Sequence, residues 1–214
     1  MDRPVNQEQQ ISMNSSYISD VKETIIREST RLFLANGFRG TSVKQITEAA
    51  GIGRGTLYWY FKSKEEILES VFRQFERGFV EGLMETVQNC GGDFVAKYKA
   101  FHRFATEFAR DNRDLALASN TLMSEIVGTN TESERVIKAI WERYRLLLED
   151  MLEDGKREGT VPAEVDSVIC AHVIIASHTG MLVQWFVNGD SFDVPVFVRT
   201  VRNFLLKGIT GGER

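Results

Sequence analysis

Cysteine is nearly absent: Cys90 and Cys170 are the only two in 214 residues, and they stand 80 positions apart. Without a second pair to complete a zinc site or a disulfide framework, they fit packing thiols in a reducing compartment, the cytoplasm by default. Histidine is scarce as well. The three present form no His-x-x-x-His pair and join no Cys/Asp cluster, which leaves a metal without ligands. None of them stands beside a nucleophile and an acid in an established spacing, and the Gly-x-Ser-x-Gly elbow is missing, so no enzyme chemistry has a carrier and no cofactor is implied. Sustained alternation of period two is absent, which excludes a sheet with one wet face. The opening MDRPVNQEQQISMNSS lacks the apolar run of a secretory leader and reads as a flexible polar arm over 1–18.

What is there is helical periodicity. Apolar residues recur at three and four in Phe94, Tyr98, Phe101, Phe104 and Phe108, and again in Ile137, Ile140, Tyr144, Leu148 and Met151. Asp20 with Glu23, Ser42 with Gln45, Ser63 with Glu66 and Thr131 with Glu134 have the spacing of capping boxes. Asp193 before Val194 and Pro195 marks a further start. Glycines at 37, 51, 91/92, 159 and 189 supply stops. The expected fold is all-α with nine helices over 19–36, 42–49, 54–60, 64–89, 93–110, 113–127, 132–157, 164–188 and 194–207. A small three-helix N-terminal head (19–63) continues without a linker into a larger C-terminal bundle (64–214).

At 43% hydrophobic the chain can bury a core unaided, and its formal charge of −4 is unevenly spread. Residues 1–64 carry nine Lys/Arg against six Asp/Glu; residues 65–214 carry seventeen against twenty-four; within 37–64 the count is five against one. A basic head on an acidic body calls for an anionic partner at one end only.

The stretch AAGIGRGTLYWYFKSKEE, 49–66, places three glycines at alternate positions before a run of aromatics. A dinucleotide loop requires Gly-x-Gly-x-x-Gly directly after a buried strand, whereas SVKQITEAA before it has helical character and no Walker lysine follows. A helix-turn-helix accounts for the pattern. Val43, Ile46 and Ala50 form a seam with Ile52, Leu57 and Phe61; Gly51 ends one helix in the left-handed conformation; Gly53 and Gly55 keep the next helix slim enough for close approach to a phosphate or base edge. Exposed aromatics in sequence need a reason, and a docked helix supplies one for Arg54, Thr56, Tyr58, Trp59 and Tyr60. Lys64, one residue past the Ser63 cap, is placed to attract a phosphate. The plainer alternatives are that Tyr58 belongs partly to the core, that Trp59 packs on the first helix and that Lys44 is a solvated charge.

GFRGTSVKQITEAAGIGRGTLYWYFKSKEEIL, 37–68, resembles the DNA-binding region of the TetR (tetracycline repressor-like) family of bacterial transcription regulators. The resemblance covers about 50 residues, 20–71, and is most specific over 56–64. It implies that Thr41, Ser42 and Tyr60 hold phosphates of a double-stranded operator, with Lys64 doing so from the next helix. It also implies that Lys44, Arg54, Gly55, Thr56, Tyr58 and Trp59 lie at or near base edges. Arg54 and Gly55 fall where the family varies most and set operator choice.

One helix-turn-helix reads few base pairs, so a homodimer on a palindrome is expected. The last two helices, about 164–188 and 194–207, are the candidate interface, as the resemblance also implies. The stretch VICAHVIIASHTGMLVQWFV, 168–187, is long enough to span a membrane, but its internal His, Ser, Thr and Gln and its lack of a basic flank favour a helix buried on more than one side. The family's effector cavity would fall among the middle helices. Phe75, Phe79, Phe101, Phe104, Phe108, Trp141, Tyr144, His172, Ile175 and His178 would then line a pocket of ordinary ligand size for a small hydrophobic or aromatic effector. The bland reading of that aromatic stripe is core. Gly78 and Gly82, interior to the 64–89 helix, read either as close packing or as room for a ligand or hinge. The function expected is a ligand-responsive regulator, a repressor that a hydrophobic effector releases from its operator. The alternatives are a helical enzyme or a ligand-binding protein without DNA function.

Overall fold

The computed structural model describes residues 7–211, with side chains from Asp20 onward. All regular structure among them is helical, with no strand. Helix α1 runs Gln7–Gly40, so Asp20 lies inside a helix rather than capping one. The expected flexible arm is helical from Gln7, and its first six residues lie outside the described ones, as do 212–214 of the body. Gly37 breaks α1 at φ 74°, ψ 164°, a conformation open to glycine because a side chain would collide with its own backbone. Helix α2 (Val43–Ala50) starts on a capping box in which Ser42 Oγ accepts from Gln45 N and Gln45 Oε1 accepts from Ser42 N. Gly51, at φ 65°, ends it. Helix α3 (Arg54–Tyr60) starts after Gly51, Ile52 and Gly53, and its Leu57, with Phe61 just past its end, is buried in one cluster with Ile46, the expected seam.

Helix α4 spans 64–89 in three parts: α-helical Lys64–Phe75, a π-helical segment Glu76–Glu81, and α-helical Gly82–Asn89. Ile67 and Leu68 at its start are fully buried with Ile25, Phe33 and Leu57. One hydrophobic cluster runs from there through Phe72 and Phe79 into the body. The head therefore shares its core with the body. The remaining helices are α5 (Phe94–Asp111), α6 (Arg113–Ile126), α7 (Glu132–Arg157), α8 (Ser167–Asn188) and α9 (Val194–Thr210), with a 3-10 turn over Gly189–Ser191. Thr131 and Asp193 cap α7 and α9 as expected, and Asp93 and Asp166 do the same for α5 and α8. Each cap satisfies a backbone donor worth about 1 kcal/mol.

The two interior glycines of α4 are explained by packing. A Cβ at Gly82 would lie 2.6 Å from Phe104 Cζ, and one at Gly78 would lie 3.0 Å from Phe108 Cε2. Both rings of α5 rest on the α4 backbone, and Arg143 of α7 pairs with Glu76 and Glu81 at the two ends of the π segment.

Within the single chain, helix α8 is covered on one side. Only 33% of its most apolar window is buried. Its inner face packs through Ala171, Ile174, His178 and Leu182; Ile169, Val173, Val183 and Val187 face outward at 39–72% exposure. The helix is buried on one side, and an apolar stripe is left on the other.

Candidate nucleic-acid interface and ligand cavity

The head presents α3 to solvent. Arg54, Gly55 and Thr56 are exposed, Tyr58 is 43% exposed and Trp59 67%. Tyr58 is thus partly covered, as its plainer alternative had it, and Trp59 stands mostly in solvent. Arg54 reaches back over the Tyr58 ring at 5.6 Å, and Trp59 meets half-buried Tyr60 edge to face at 4.6 Å. Nothing lies within 4 Å of where a Cβ on Gly55 would stand, so the start of α3 is open to an approaching duplex. Lys44 projects from α2 with its ammonium 3.8 Å from Glu48, an exposed pair that water and salt weaken. Ser42 is exposed, but its hydroxyl is engaged with Gln45 in the cap.

Two expected phosphate ligands are placed differently. Thr41 is 2% exposed and its hydroxyl donates inward, to Gly37 O at 2.8 Å and Leu32 O at 3.1 Å. Lys64 Nζ donates to Phe38 O and Thr41 O, both at 2.7 Å, and stands 4.3 Å from the centroid of the Phe38 ring. The reason is chain geometry: α1 ends there with carbonyls lacking intrahelical partners, and a lysine at the start of α4 is within reach of them. Thr41 and Lys64 build the α1–α2 junction instead of projecting from it.

In the body, Phe75, Phe79, Phe108, Trp141, Tyr144 and His178 line a partly open, mainly apolar cavity, as the sequence pattern anticipated. Phe101, Phe104, Ile175 and His172 do not line it. Phe101 is fully buried one layer behind, stacked on His178 at 4.9 Å; Phe104 rests on Gly82; Ile175 packs against the core; His172 faces solvent on the outer stripe of α8. In their place stand residues of α5, α6 and α8 that sequence reasoning did not nominate, among them Thr106, Ala116, Asn120, Met181 and Trp185. Thr179 donates to Asn120 Oδ1 at 3.3 Å across the wall. The cavity is about 50 Å³, room for a few waters, and not the ordinary ligand size expected. The aromatic side chains themselves fill the space.

Polar atoms around this cavity are short of partners. Tyr144 Oη and His178 Nδ1 pair at 3.3 Å, but His178 Nε2, His102 Nε2, Tyr98 Oη and Trp141 Nε1 are buried without any. Burial holds both histidines neutral: His178 is pushed down to about 3, with His102 adding to the effect, and His102 to about 4, with the Arg202 charge adding to it. Burial likewise raises the Tyr98 and Tyr144 hydroxyls. On the outer side of α5 a wide groove of about 550 Å³ is lined by Lys99, Arg103, Arg110 and Arg202 against the single acid Glu107, and Thr106 borders both groove and cavity. Among the described residues no His/Cys/Asp/Glu cluster could hold a metal.

A slender helix-turn-helix head on a helical body with a small, aromatic-lined cavity defines a one-component regulator that reads DNA at one end and a small molecule at the other. The chain belongs to the TetR family: the model for bacterial regulatory proteins of the tetR family matches residues 25–71, and the model for the YsiA-like protein C-terminal region matches 72–208. It is 27% identical over 185 residues to the fatty acid metabolism regulator protein of Bacillus subtilis, covering 86% of this chain and 93% of that one. It is 25% identical to the transcriptional repressor KstR2 of Mycolicibacterium smegmatis, covering 90% and 92%. The crystal structure of the MbdR regulator from Azoarcus sp. CIB superposes with a TM-score of 0.79 at 26% identity, over 88% of this chain and 98% of that one. FadR from Bacillus subtilis, solved in complex with stearoyl-CoA, has the same fold at 24% identity, with a TM-score of 0.75 over 87% and 98% of the two chains. The chain is accordingly a ligand-responsive transcription regulator and not an enzyme, and the apolar α8 does not mark it as a membrane protein.

Proposed function

We propose that the chain is a cytoplasmic repressor that binds a palindromic operator as a homodimer and leaves it when an amphipathic anion, an acyl chain on a phosphate-bearing headgroup, enters the body. Residues 19–63 serve as the DNA-reading unit and 64–214 as the ligand-binding and dimerisation unit. The observation that carries the reading is the exposure of Arg54, Thr56, Tyr58 and Trp59 around buried Leu57 on an otherwise well-packed head: guanidinium, hydroxyl and aromatic groups left to solvent suit base edges and phosphates. Lys44 and Tyr60 flank it. The homodimer rests on the outer stripe of α8, Ile169, Val173, Val183 and Val187, continued by Phe204 on α9 at 78% exposure. An uncharged stripe at helical spacing pairs with its own copy about a twofold axis.

The effector class is supported by two adjoining surfaces. The cavity offers an apolar interior with neutral donors for an acyl carbonyl, and the groove across Thr106 offers Lys99, Arg103 and Arg202 for phosphates, with Arg110 beside them paired to Asp111. The name of the Bacillus subtilis relative points to fatty acid metabolism. Because the cavity is about 50 Å³, entry requires the rings of Phe75, Phe79 and Trp141 to turn aside. A hundredfold loss of operator affinity needs about 2.7 kcal/mol of preference for the ligand-bound state.

The test uses a DNA fragment selected from random sequence by the protein itself, with stearoyl-CoA as the effector probe. Affinity should fall steeply with salt, by about one log unit per log unit of salt for every phosphate neutralised, and should fall again when stearoyl-CoA is added. Val173→Glu should yield monomers by sedimentation and lose tight operator binding. A flat salt response would sink DNA binding through this face.

A further inference from the structure

Besides the core that head and body share, a hydrogen bond at the α1–α2 junction joins them. Phe38 N, just past the break at Gly37, donates to Glu125 Oε2 of α6 at 3.0 Å, across 87 residues of sequence. The carbonyl of the same residue accepts from Lys64 Nζ of α4. Glycine at 37 makes room for this: a Cβ there would stand 2.9 Å from Glu125 Oε1. The turn so held ends, four residues later, in the Ser42 cap that starts α2. Its pose therefore fixes the direction of α2 and, through Gly51, of α3.

Glu125 rides on the helix that walls the cavity. Ala116 and Asn120 line it from α6, and Asn120 is tied to Thr179 of α8. Helix α6 runs unbroken through Arg113–Ile126, so Asn120 and Glu125 are linked by five rigid residues, about 7.5 Å of helix rise. A ligand that displaces the α6 wall carries the carboxylate with it. A hydrogen bond of 3.0 Å is lost by a shift on the order of 1 Å.

We propose that Glu125 is the positioning residue through which the cavity controls the head: its bond to Phe38 N holds the α1–α2 junction in the DNA-reading pose, and outward movement of α6 releases it. The proposal rests on the reading of the chain as a ligand-responsive DNA-binding protein.

A double-mutant cycle tests it without any effector. Ala116→Leu overfills the small cavity and pushes on α6. Operator affinity, on the same selected fragment, is measured for wild type, Ala116→Leu, Glu125→Ala and the double variant, with amide hydrogen exchange over 37–41. Ala116→Leu should weaken binding about tenfold and speed exchange at Phe38. In the Glu125→Ala background it should change affinity less than twofold, because the connection is already broken. Glu125→Asp, shorter by about 1.5 Å but still charged, should behave like the alanine variant, and serves if that one does not fold. Glu125→Gln keeps an acceptor of the same reach and should retain the full Ala116→Leu effect. If Ala116→Leu weakens binding equally in all backgrounds, cavity and head communicate by another route and Glu125 is only a structural contact. If it weakens binding in none, the α6 route does not exist; a stearoyl-CoA response that persists in that case leaves the ligand-responsive reading standing while this proposal falls.

Discussion

The head and the body treat their polar groups in opposite ways. In the head the hydroxyl of Thr41, the ammonium of Lys64 and both ends of the Phe38 peptide are paired, and what is unpaired is left in water on α3. In the body Tyr98, His102, Trp141 and His178 each bury an atom that bonds to nothing, and each such atom costs about 1–3 kcal/mol. Ser29 Oγ is the one buried orphan on a head helix among the described residues. A surface that meets a polymer of fixed shape benefits from being built in advance, whereas a cavity that must change on occupation benefits from groups whose best partners arrive with the ligand. The head is preorganised and the body is poised.

Acid should widen that contrast more than any single substitution. Unfolded histidine titrates near 6.5, but His102 and His178 titrate at about 4 and about 3 when folded. Between these values the unfolded chain binds more protons than the folded one, so stability rises with pH and falls as acid is added. The loss approaches about 1.4 kcal/mol per pH unit for each histidine, roughly 4 kcal/mol for the pair between pH 7 and 5. Urea unfolding at the two pH values measures it. His102→Gln should remove about half of the pH dependence; an unchanged dependence would show that the His102 ring does not carry its share.

Next in size is the α4–α5 contact. Gly82→Ala forces a methyl against Phe104, 2.6 Å away, and overpacking of this kind costs about 1–3 kcal/mol. Because Phe104 backs Phe79 at 6.3 Å on the cavity wall, thermal unfolding should fall while the salt dependence of DNA binding, set in the head, stays as it was. Lys64→Ala and Lys44→Ala divide the head in the same way. Removing Lys64 takes the ammonium from Thr41 O and leaves Phe38 O with Thr41 N alone, and hydrogen bonds from a charged donor are worth about 1.5–3 kcal/mol. Stability and operator affinity should drop with an unaltered salt slope. Removing Lys44 should leave stability within about 0.5 kcal/mol and lower the salt slope by about 1. The reverse pattern would return Lys64 to the phosphates.

How far these sites were legible in the sequence follows from the range of the interactions that build them. Ser42 with Gln45, Gly51 in its left-handed turn and the Leu57/Phe61 seam are contacts over a few residues, and the pattern of side chains declares them. The exposure of Arg54 to Trp59 follows once the seam is assigned. Thr41 and Lys64 went to phosphates because their actual partners, Leu32, Gly37 and Phe38, are backbone carbonyls, which no side-chain pattern advertises. The body failed for a related reason. Aromatic spacing on α4, α5 and α7 located the cavity, but Asn120 and Trp185 enter it only through packing of α6 and α8 against the rest, and a small polar residue on an amphipathic helix gives no sign of which neighbour it will meet. His172 and His178 lie six apart on α8, about a third of a turn around it, and one is exposed while the other is buried, a difference set by the helix's rotation against the core. The length of α1 was missed because a polar N-terminus and the Asp20/Glu23 spacing mimic a start, and helical propensity continues upstream without a capping requirement.

The smallest expected effect separates folding from reading within α3. Gly55 is helical and exposed, and a Cβ there meets nothing within 4 Å. Interior glycine costs a helix about 0.5–1 kcal/mol relative to alanine, by the extra freedom it gives the unfolded chain. Gly55→Ala should therefore stabilise the protein by about that amount, visible as a small rise in the urea midpoint. The same methyl stands on the face where a duplex would approach the start of α3, so operator affinity should fall even as stability rises. Stability and affinity moving in opposite directions would mark Gly55 as a residue kept for contact at the expense of the fold. If both rise together, the start of α3 does not approach DNA closely, and base reading shifts to Thr56, Tyr58 and Trp59 further along the helix.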